Sequence, residues 1–411
     1  MCLASSTVAP AADSQSAAAQ AVNALGLDLL AKGTAANENA LISPYSIQAA
    51  LAMTYAGAAG DTHSEMAKVL HYPADEAALH HSFADLQKAL DEVTKSTTAL
   101  AKGPKEFGGP SEPIVLTVAN RLFGQQGYDF RQPFLDLVKN NYGAPLQTMD
   151  FVNKAPQERL RINAWVEEQT SRRICNLIPA DALDKKTALV LVNAIYMKAP
   201  WAVPFKAVAT QQLPFAIGGK QSVNVPTMRR TGSMGYAKRD GYQIITISYT
   251  GGEMQFLVLL PDAKDGLAAL EAKLTPEILS GCAKPGAAEL DLYLPKFKLQ
   301  PPLFKLGNVL RSLGMPSAFD QPKGTANFER MAPRKPNDYL YISEVYHKTF
   351  LALDEKGTEA AAATAVGMAR AAGFAEKPKP IVVRVDRPFL FAIQHVPSGA
   401  CLFVGRVTDP R

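Results

Sequence analysis

The sequence predicts a single α+β domain, and three features carry that expectation. Helix-period apolar spacing dominates the N-terminal third. β-Branched and aromatic runs broken by glycine fill the stretch from Gln211 to Leu260. Two further stretches, Ala188–Met197 and Phe389–Val404, are apolar on both faces and therefore belong inside covered sheets. A chain of 411 residues could hold several domains, but no low-complexity linker divides it, and 47% hydrophobic residues suffice for one extensive core.

The elements follow in order. Residues 1–20, rich in Ala and Ser, read as a flexible tail ahead of a domain spanning 21–411. Ala19, Val22, Leu25 and Leu29 mark a first helix. Ser43 before Pro44 is a natural N-cap for a second, through Ile47, Leu51 and Tyr55. Leu79, Phe83, Leu86, Leu90 and Val93 mark another, which runs out into a Gly/Pro-rich surface loop from Gly103 to Pro113. Ile114–Phe123 reads as a strand, Glu158–Leu177 as a long helix and Ala188–Met197 as a central strand. Gly218-Gly219, Gly232, Gly241 and Gly251-Gly252 separate the hairpins of a second sheet between Gln211 and Leu260. Helix returns at Leu267–Leu279 and Leu303–Leu313. The chain closes on a hairpin turning at Val396-Pro397-Ser398-Gly399.

Composition excludes several functions. The net charge of +5 is dispersed, with Lys88 and Lys95 interleaved with Asp85, Asp91 and Glu92, so no nucleic-acid face is expected. Cys2, Cys175, Cys282 and Cys401 lack metal-type spacing, and neither a metal, a cofactor nor a disulfide framework is expected. No G-x-S-x-G, H-E-x-x-H, C-x-x-C pair or G-x-G-x-x-G occurs, and Gly218-Gly219-Lys220-Gln221-Ser222 lacks the spacing of a phosphate loop, so no enzyme is expected. No apolar run is long enough to span a bilayer. An extracellular or cell-envelope location is expected, with Cys2 a candidate lipid attachment point, and the cytoplasm is the alternative.

The most unusual stretch is Glu355-Lys356-Gly357-Thr358-Glu359-Ala360-Ala361-Ala362-Ala363-Thr364, continuing through Ala365 and Val366. It has almost no bulk, no proline and no aromatic. Its alanines would suit a surface helix. As a strand, it would point Thr358, Ala360, Ala362, Thr364, Val366 and Met368 to one side, and Glu359, Ala361, Ala363, Ala365, Gly367 and Ala369 to the other. The first set can be buried and the second can face solvent. A segment that must enter a formed sheet needs small inward side chains and an uninterrupted row of peptide donors and acceptors, and this run supplies both.

Several motifs in this order resemble the serpin family of serine-protease inhibitors over nearly the whole chain. They are Ile42-Ser43-Pro44-Tyr45-Ser46-Ile47 through Thr62; Asn163-Ala164-Trp165-Val166 with Thr170, Ile174 and Leu177; Leu191–Lys198 with Trp201 and Phe205; Val345-Tyr346-His347-Lys348; and Arg387-Pro388-Phe389-Leu390-Phe391 with Gly405-Arg406-Val407. Ala199 stands where the family usually has glycine, and the loop before Arg387 is longer than in common members. The resemblance implies a fold of about three β-sheets and eight to nine helices with an exposed reactive-centre loop at about 355–380.

It further implies that Glu355–Thr364 is the inhibitory hinge, that Ser43, Ser46, Asn193 and His347 form the polar "shutter" under the main sheet, and that Trp201 marks the "breach" where insertion begins. Counting about seventeen residues from Glu355, as the family's loop does, places the scissile bond at Ala371-Ala372, with Arg370 and Phe374 as alternatives. Alanine there suits elastase-like or subtilisin-like proteases, and Arg370 a trypsin-like one. The implied function is suicide-substrate inhibition by a monomer. The rival is a non-inhibitory carrier or chaperone, which typically has a bulkier hinge.

Overall fold

The computed structural model describes residues 16–103, 112–218, 221–359 and 379–411. The chain begins with α1 (Ala17–Gly33), capped by Ser16, whose hydroxyl accepts from Ala19 N at 3.2 Å. Residues 17–20, expected in a tail, are therefore helical, with Ala18 and Ala19 buried; the cap and the small side chains let the helix start against the core. Strand β1 (Ala40–Ile42) leads into α2 (Pro44–Tyr55), capped by Ser43 and buried along its whole length. Then come α3 (Gly60–Val69), the long α4 (Glu76–Lys102), β2 (Val115–Gln125), α5 (Gln132–Tyr142) and β3 (Gln147–Met149). Most of the expected Gly/Pro-rich loop lies outside the described residues.

Next is α6 (Phe151–Gln169), capped by Asp150 and broken at Lys154, just before Pro156. It ends at Thr170 and does not continue to Leu177 as expected. Thr170 Oγ1 bonds back to Val166 O and receives Ile174 N, and Ser171, Arg172 and Asn176 take positive φ, so 170–177 is a compact loop. Strand β4 (Leu189–Pro200) follows, then β5 (Gln211–Ile217), β6 (Gln221–Arg239), β7 (Tyr242–Ser248) and β8 (Met254–Pro261). Gly232 does not divide a hairpin but lies within β6, paired to Leu290. The expected helix 267–279 is two short ones, α7 (Leu267–Lys273) and α8 (Pro276–Gly281), because Leu274 and Thr275 are extended ahead of Pro276. After β9 (Ala287–Pro295), β10 (Phe297–Leu299) and β11 (Phe304–Lys305), α9 begins at Gly307 and not at Leu303 (Gly307–Leu313). The strands β12 (Ile342–Lys348), β13 (Leu351–Asp354), β14 (Gly357–Thr358), β15 (Ile381–Arg384), β16 (Phe389–His395) and β17 (Cys401–Val407) complete the chain.

Hydrogen bonds join the strands into two networks. The nine-stranded one runs β1-β17-β16-β8-β7-β6-β9-β15, with β5 on β6. Long β6 passes from the β5/β9 group to β7, so two of the three expected sheets share one strand. The eight-stranded network is built on β4, which is apolar on both faces for a visible reason. Leu191, Ile195 and Met197 enter the large core shared with α1, α2 and the other network, whereas Val190, Val192 and Ala194 pack with Ile162 and Val166 of α6.

The edges of β4 position the site. One edge pairs with β2 from Val115↔Lys198 to Gly124↔Leu189. The other pairs in parallel with β12 only as far as Ala194↔Lys348, and again at Ala199 and Pro200 with β14. Along Ile195–Lys198 that edge has no strand partner among the described residues.

At the closing hairpin, a Cβ on Gly405 would meet the Ala40 carbonyl oxygen and stand 2.6 Å from Phe391 Cζ. Gly405→Ala is expected to lower stability by about 1–3 kcal/mol, as overpacking does, read as a lower denaturant midpoint. An unchanged midpoint would mean that β1 and β16 can shift there freely.

Candidate functional site

The opening beside β4 is capped by a short intrusion of the chain itself. After β13, Asp354 Oδ1 accepts from Lys356 N at 2.8 Å and turns the backbone. Gly357 and Thr358 then pair with Asp354 and Leu353 on one side and with Pro200 and Ala199 on the other. Gly357 has φ +152°, and a Cβ there would strike the Ala199 carbonyl oxygen and lie 2.8 Å from Pro200 Cα. Only glycine fits. Trp201 holds this turn: its N donates to Lys356 O (2.8 Å), its Nε1 to Asp354 O (2.9 Å), and its ring stacks on Tyr249 at 4.6 Å. Phe205 N donates to Glu355 O, and the Glu355 carboxylate is paired with Lys296 Nζ at 2.8 Å and accepts from Thr210 Oγ1 at 2.7 Å.

Thr358 is buried, and its hydroxyl lies 2.5 Å from Tyr249 Oη. Its inward orientation agrees with the period-2 reading. Glu359 does not follow that reading. It takes φ +50° and turns its carboxylate against the Arg173 guanidinium, leaving the side chain only 10% exposed, not turned to solvent. Burial raises the Glu359 pKa, while Arg173, Lys198 and Lys298 pull it back. Arg173 comes from the loop after α6, and Lys348 Nζ donates to Cys175 O in the same loop at 3.1 Å, so this loop is fastened over the opening. Sequence periodicity assumed that the strand continues; the left-handed turn at Glu359 ends it.

Below the opening, polar side chains cross the sheet in one row. Asn120 of β2, Asn193 of β4 and His347 of β12 are register partners. His347 Nδ1 lies 2.5 Å from Asn193 Oδ1, and Ser43 N donates to His347 Nε2 at 3.1 Å. With Nε2 an acceptor, the ring proton sits on Nδ1 and is donated to Asn193. Ser43 Oγ donates to Leu402 O, and Ser46 Oγ donates to Asn120 Oδ1 at 3.0 Å. Thus Ser43, Asn193 and His347 are brought together directly, and Ser46 joins through Asn120. Asn193 Nδ2 is buried with no hydrogen-bond partner. Burial pushes the His347 pKa down to about 3, partly offset by Asn193.

The hinge positions Glu355, Lys356, Gly357, Thr358 and Glu359 are thus placed. Ala360, Ala361, Ala362, Ala363 and Thr364 lie outside the described residues, as do Arg370, Ala371, Ala372, Phe374 and Cys2. Sequence reasoning missed Asn120, Tyr249 and Arg173. Asn120 did carry a signal: it interrupts the apolar alternation Leu116, Val118, Leu122 with an amide. Tyr249 and Arg173 carried none, since only tertiary packing brings them to the hinge. The three cysteines described, Cys175, Cys282 and Cys401, are free, and no described helix is long and apolar enough to cross a membrane.

A main sheet in which the central strand β4 pairs with β12 at one end and with the short β14 at the other, over a buried polar row, defines the class of fold. The family described as Serpin (serine protease inhibitor) matches residues 20–410. Serpin B10 of Otolemur garnettii is 35% identical over 389 residues, covering 92% of this chain and 95% of that protein. The leukocyte elastase inhibitor of Bos taurus is 35% identical over 381 residues, covering 90% and 93%. The structure of uncleaved ovalbumin superposes with a TM-score of 0.77 at 29% identity, covering 95% of this chain and 99% of that one. The chain belongs to the serpin family.

The neutral His347 makes stability depend on pH in a stated direction. Its folded pKa of about 3 lies below the unfolded value of about 6.5, so nothing is lost above pH 6.5. Below that, the unfolded chain takes up a proton that the fold refuses, and stability should fall by on the order of 1 kcal/mol per pH unit. Denaturant midpoints of wild type and His347→Gln should therefore diverge in slope between pH 6.5 and 4. His80 and His395, both depressed by burial to about 4, titrate in both proteins and cancel. Parallel curves would exclude His347 as the titrating group.

Proposed function

We propose that this chain inhibits a serine-type endopeptidase as a suicide substrate and is not itself an enzyme. The single observation that supports this most is the edge of β4 at Ile195–Lys198, which has no strand partner among the described residues, with Gly357 and Thr358 lodged at one end of it. The residues that follow, Ala360 to Thr364, are small enough to continue along that edge. In the proposed mechanism the protease serine attacks the exposed loop, and at the acyl-enzyme stage the freed segment extends β14 into a full strand. Some 16 inserted residues at about 3.3 Å each carry the tethered protease roughly 50 Å. Its catalytic groups are deformed before the ester can hydrolyse.

The reactive bond is Ala371-Ala372 in this reading, with Arg370 and Phe374 as the alternatives. An elastase-like or subtilisin-like target is favoured by the small residues there and by the similarity to a leukocyte elastase inhibitor; a trypsin-like target comes second. The inhibitor acts as a monomer. Two buried thiols without a disulfide, Cys282 and Cys401, suit a reducing compartment and thus the cytoplasmic alternative.

The test is a denaturing gel after incubation with elastase, subtilisin or trypsin. A covalent band that survives boiling is expected with elastase or subtilisin. Cleavage without any such band for all three would favour the carrier or chaperone reading. If trypsin alone forms the band and Arg370→Ala abolishes it, the bond lies one residue earlier.

Thr358→Arg tests whether this end of the segment must stay in the sheet: Thr358 is already buried in the intact fold, so the variant is expected to expel Gly357 and Thr358 from the gap before cleavage. Its guanidinium would have to be buried beside Tyr249 without a carboxylate, which costs several kcal/mol, on the order of 3–5 for an uncompensated buried charge. The variant should be cut at the same bond and at a similar rate, yet release active protease. Trapping at wild-type stoichiometry would rule out strand insertion past this position. Glu359 is no neutral control, because its carboxylate is packed on Arg173; Val208→Arg, at a side chain 93% exposed, serves instead.

A further inference from the structure

On the flank of β12 away from the opening lies a cavity of about 180 Å³ between the two strand networks. One wall is the end of α1 and β1, including Gly33, Leu41 and Ile42. The other is Leu303, Phe304, His347 and Thr349. The Phe304 ring packs so closely on Gly33 that a Cβ there would stand 2.6 Å from Cζ. Two cross-links between the networks run beside the cavity: Ser43 N to His347 Nε2 at 3.1 Å, and Thr349 Oγ1 to Leu41 O at 3.0 Å. Both nitrogens of His347 are engaged, so the ring offers its carbon edge. Exposed Glu38 is the only charged side chain among the described residues of the lining.

We propose that this cavity binds a small uncharged aromatic molecule, between benzene and indole in size, and that its occupancy retards strand entry beside β4. The volume and lining argue for the ligand: an apolar cavity of about 150 Å³ accepts benzene, and the Glu38 carboxylate at the mouth disfavours anions. The coupling follows from which parts move. Admitting a strand requires β12 to separate from β4, and β12 carries His347 and runs directly into Thr349, whereas β1 belongs to the other network. A ligand touching both walls stabilises the arrangement in which they fit it, and biases the equilibrium against opening. This second half rests on the insertion mechanism proposed above.

Indole is the probe and indole-3-acetate the charged comparison, both on the full chain. Indole should raise the unfolding midpoint saturably in wild type, and indole-3-acetate should not. Leu303→Trp, which fills the cavity, should abolish the rise; Leu303→Phe is the substitute should the larger side chain not fold. Strand entry is read as the rate at which the sheet takes up a synthetic peptide of residues 357–370. Indole at ten times its dissociation constant should slow that uptake up to about tenfold in wild type and not in the filled variant. No saturable rise, or an equal rise in the filled variant, overturns the site. Saturable binding with unchanged uptake overturns the coupling. If no peptide enters with or without indole, the insertion mechanism itself fails, and the midpoint shift still decides whether the cavity binds.

Discussion

The structure turns on a requirement of the backbone: a strand edge inside a protein must find hydrogen-bond partners, and among the described residues β4 finds strand partners along only part of one edge. Below Ala194 it has β12 and above Lys198 it has β14, while between them no described strand pairs with it. An unmet donor or acceptor inside a protein costs about 1–3 kcal/mol. In the proposed mechanism, a complete strand filling this edge gains those bonds, provided that the neighbouring strands can part. Everything around the gap either permits that parting or holds it off.

What holds it off is a set of side chains that fasten different layers together. Arg173 reaches from the loop after α6 to Glu359, and Lys348 reaches the same loop through Cys175 O. Below them, His347 links β12 both to β4 through Asn193 and to α2 through the Ser43 backbone. These contacts are polar and replaceable. A row of interlocked aliphatic side chains would resist separation through loss of packing; hydrogen bonds and ion pairs can be exchanged for others at small net change. The unpartnered Asn193 Nδ2 shows that the closed arrangement does not satisfy every group it contains.

Much of this was legible in the chain. The two-faced apolar run of β4 announced a covered central strand, Ser43-Pro44 announced the start of α2, and Gly357 and Thr358, the described start of the small-residue run, do lie in a crowded sheet. What escaped had no local cause. The end of α6 at Thr170 depends on hydroxyl bonds to Val166 and Ile174, which a period-based reading cannot see. Gly232 looked like a turn because strands seldom carry glycine, yet the long pairing of β6 with β9 runs through it. α3 and α5 are short amphipathic helices that gave too little periodic signal. Glu359 looked exposed because alternation was extended one residue past the point where the backbone turns.

The pairing of β1 with β17, Ala40 against Arg406, has a consequence for how the molecule is made. The side chain of Asn23, in the first helix, donates to Gly399 O and accepts from Cys401 N, so the earliest and latest residues share one knot of contacts. On a ribosome the first third of the chain emerges long before its partners exist and must wait with α1 and α2 uncovered. Such distant pairings slow folding and leave apolar surface exposed meanwhile. The nascent chain is thus a natural client for chaperones until the final hairpin arrives, and truncation shortly before Cys401 would remove the strand to which β1 is anchored.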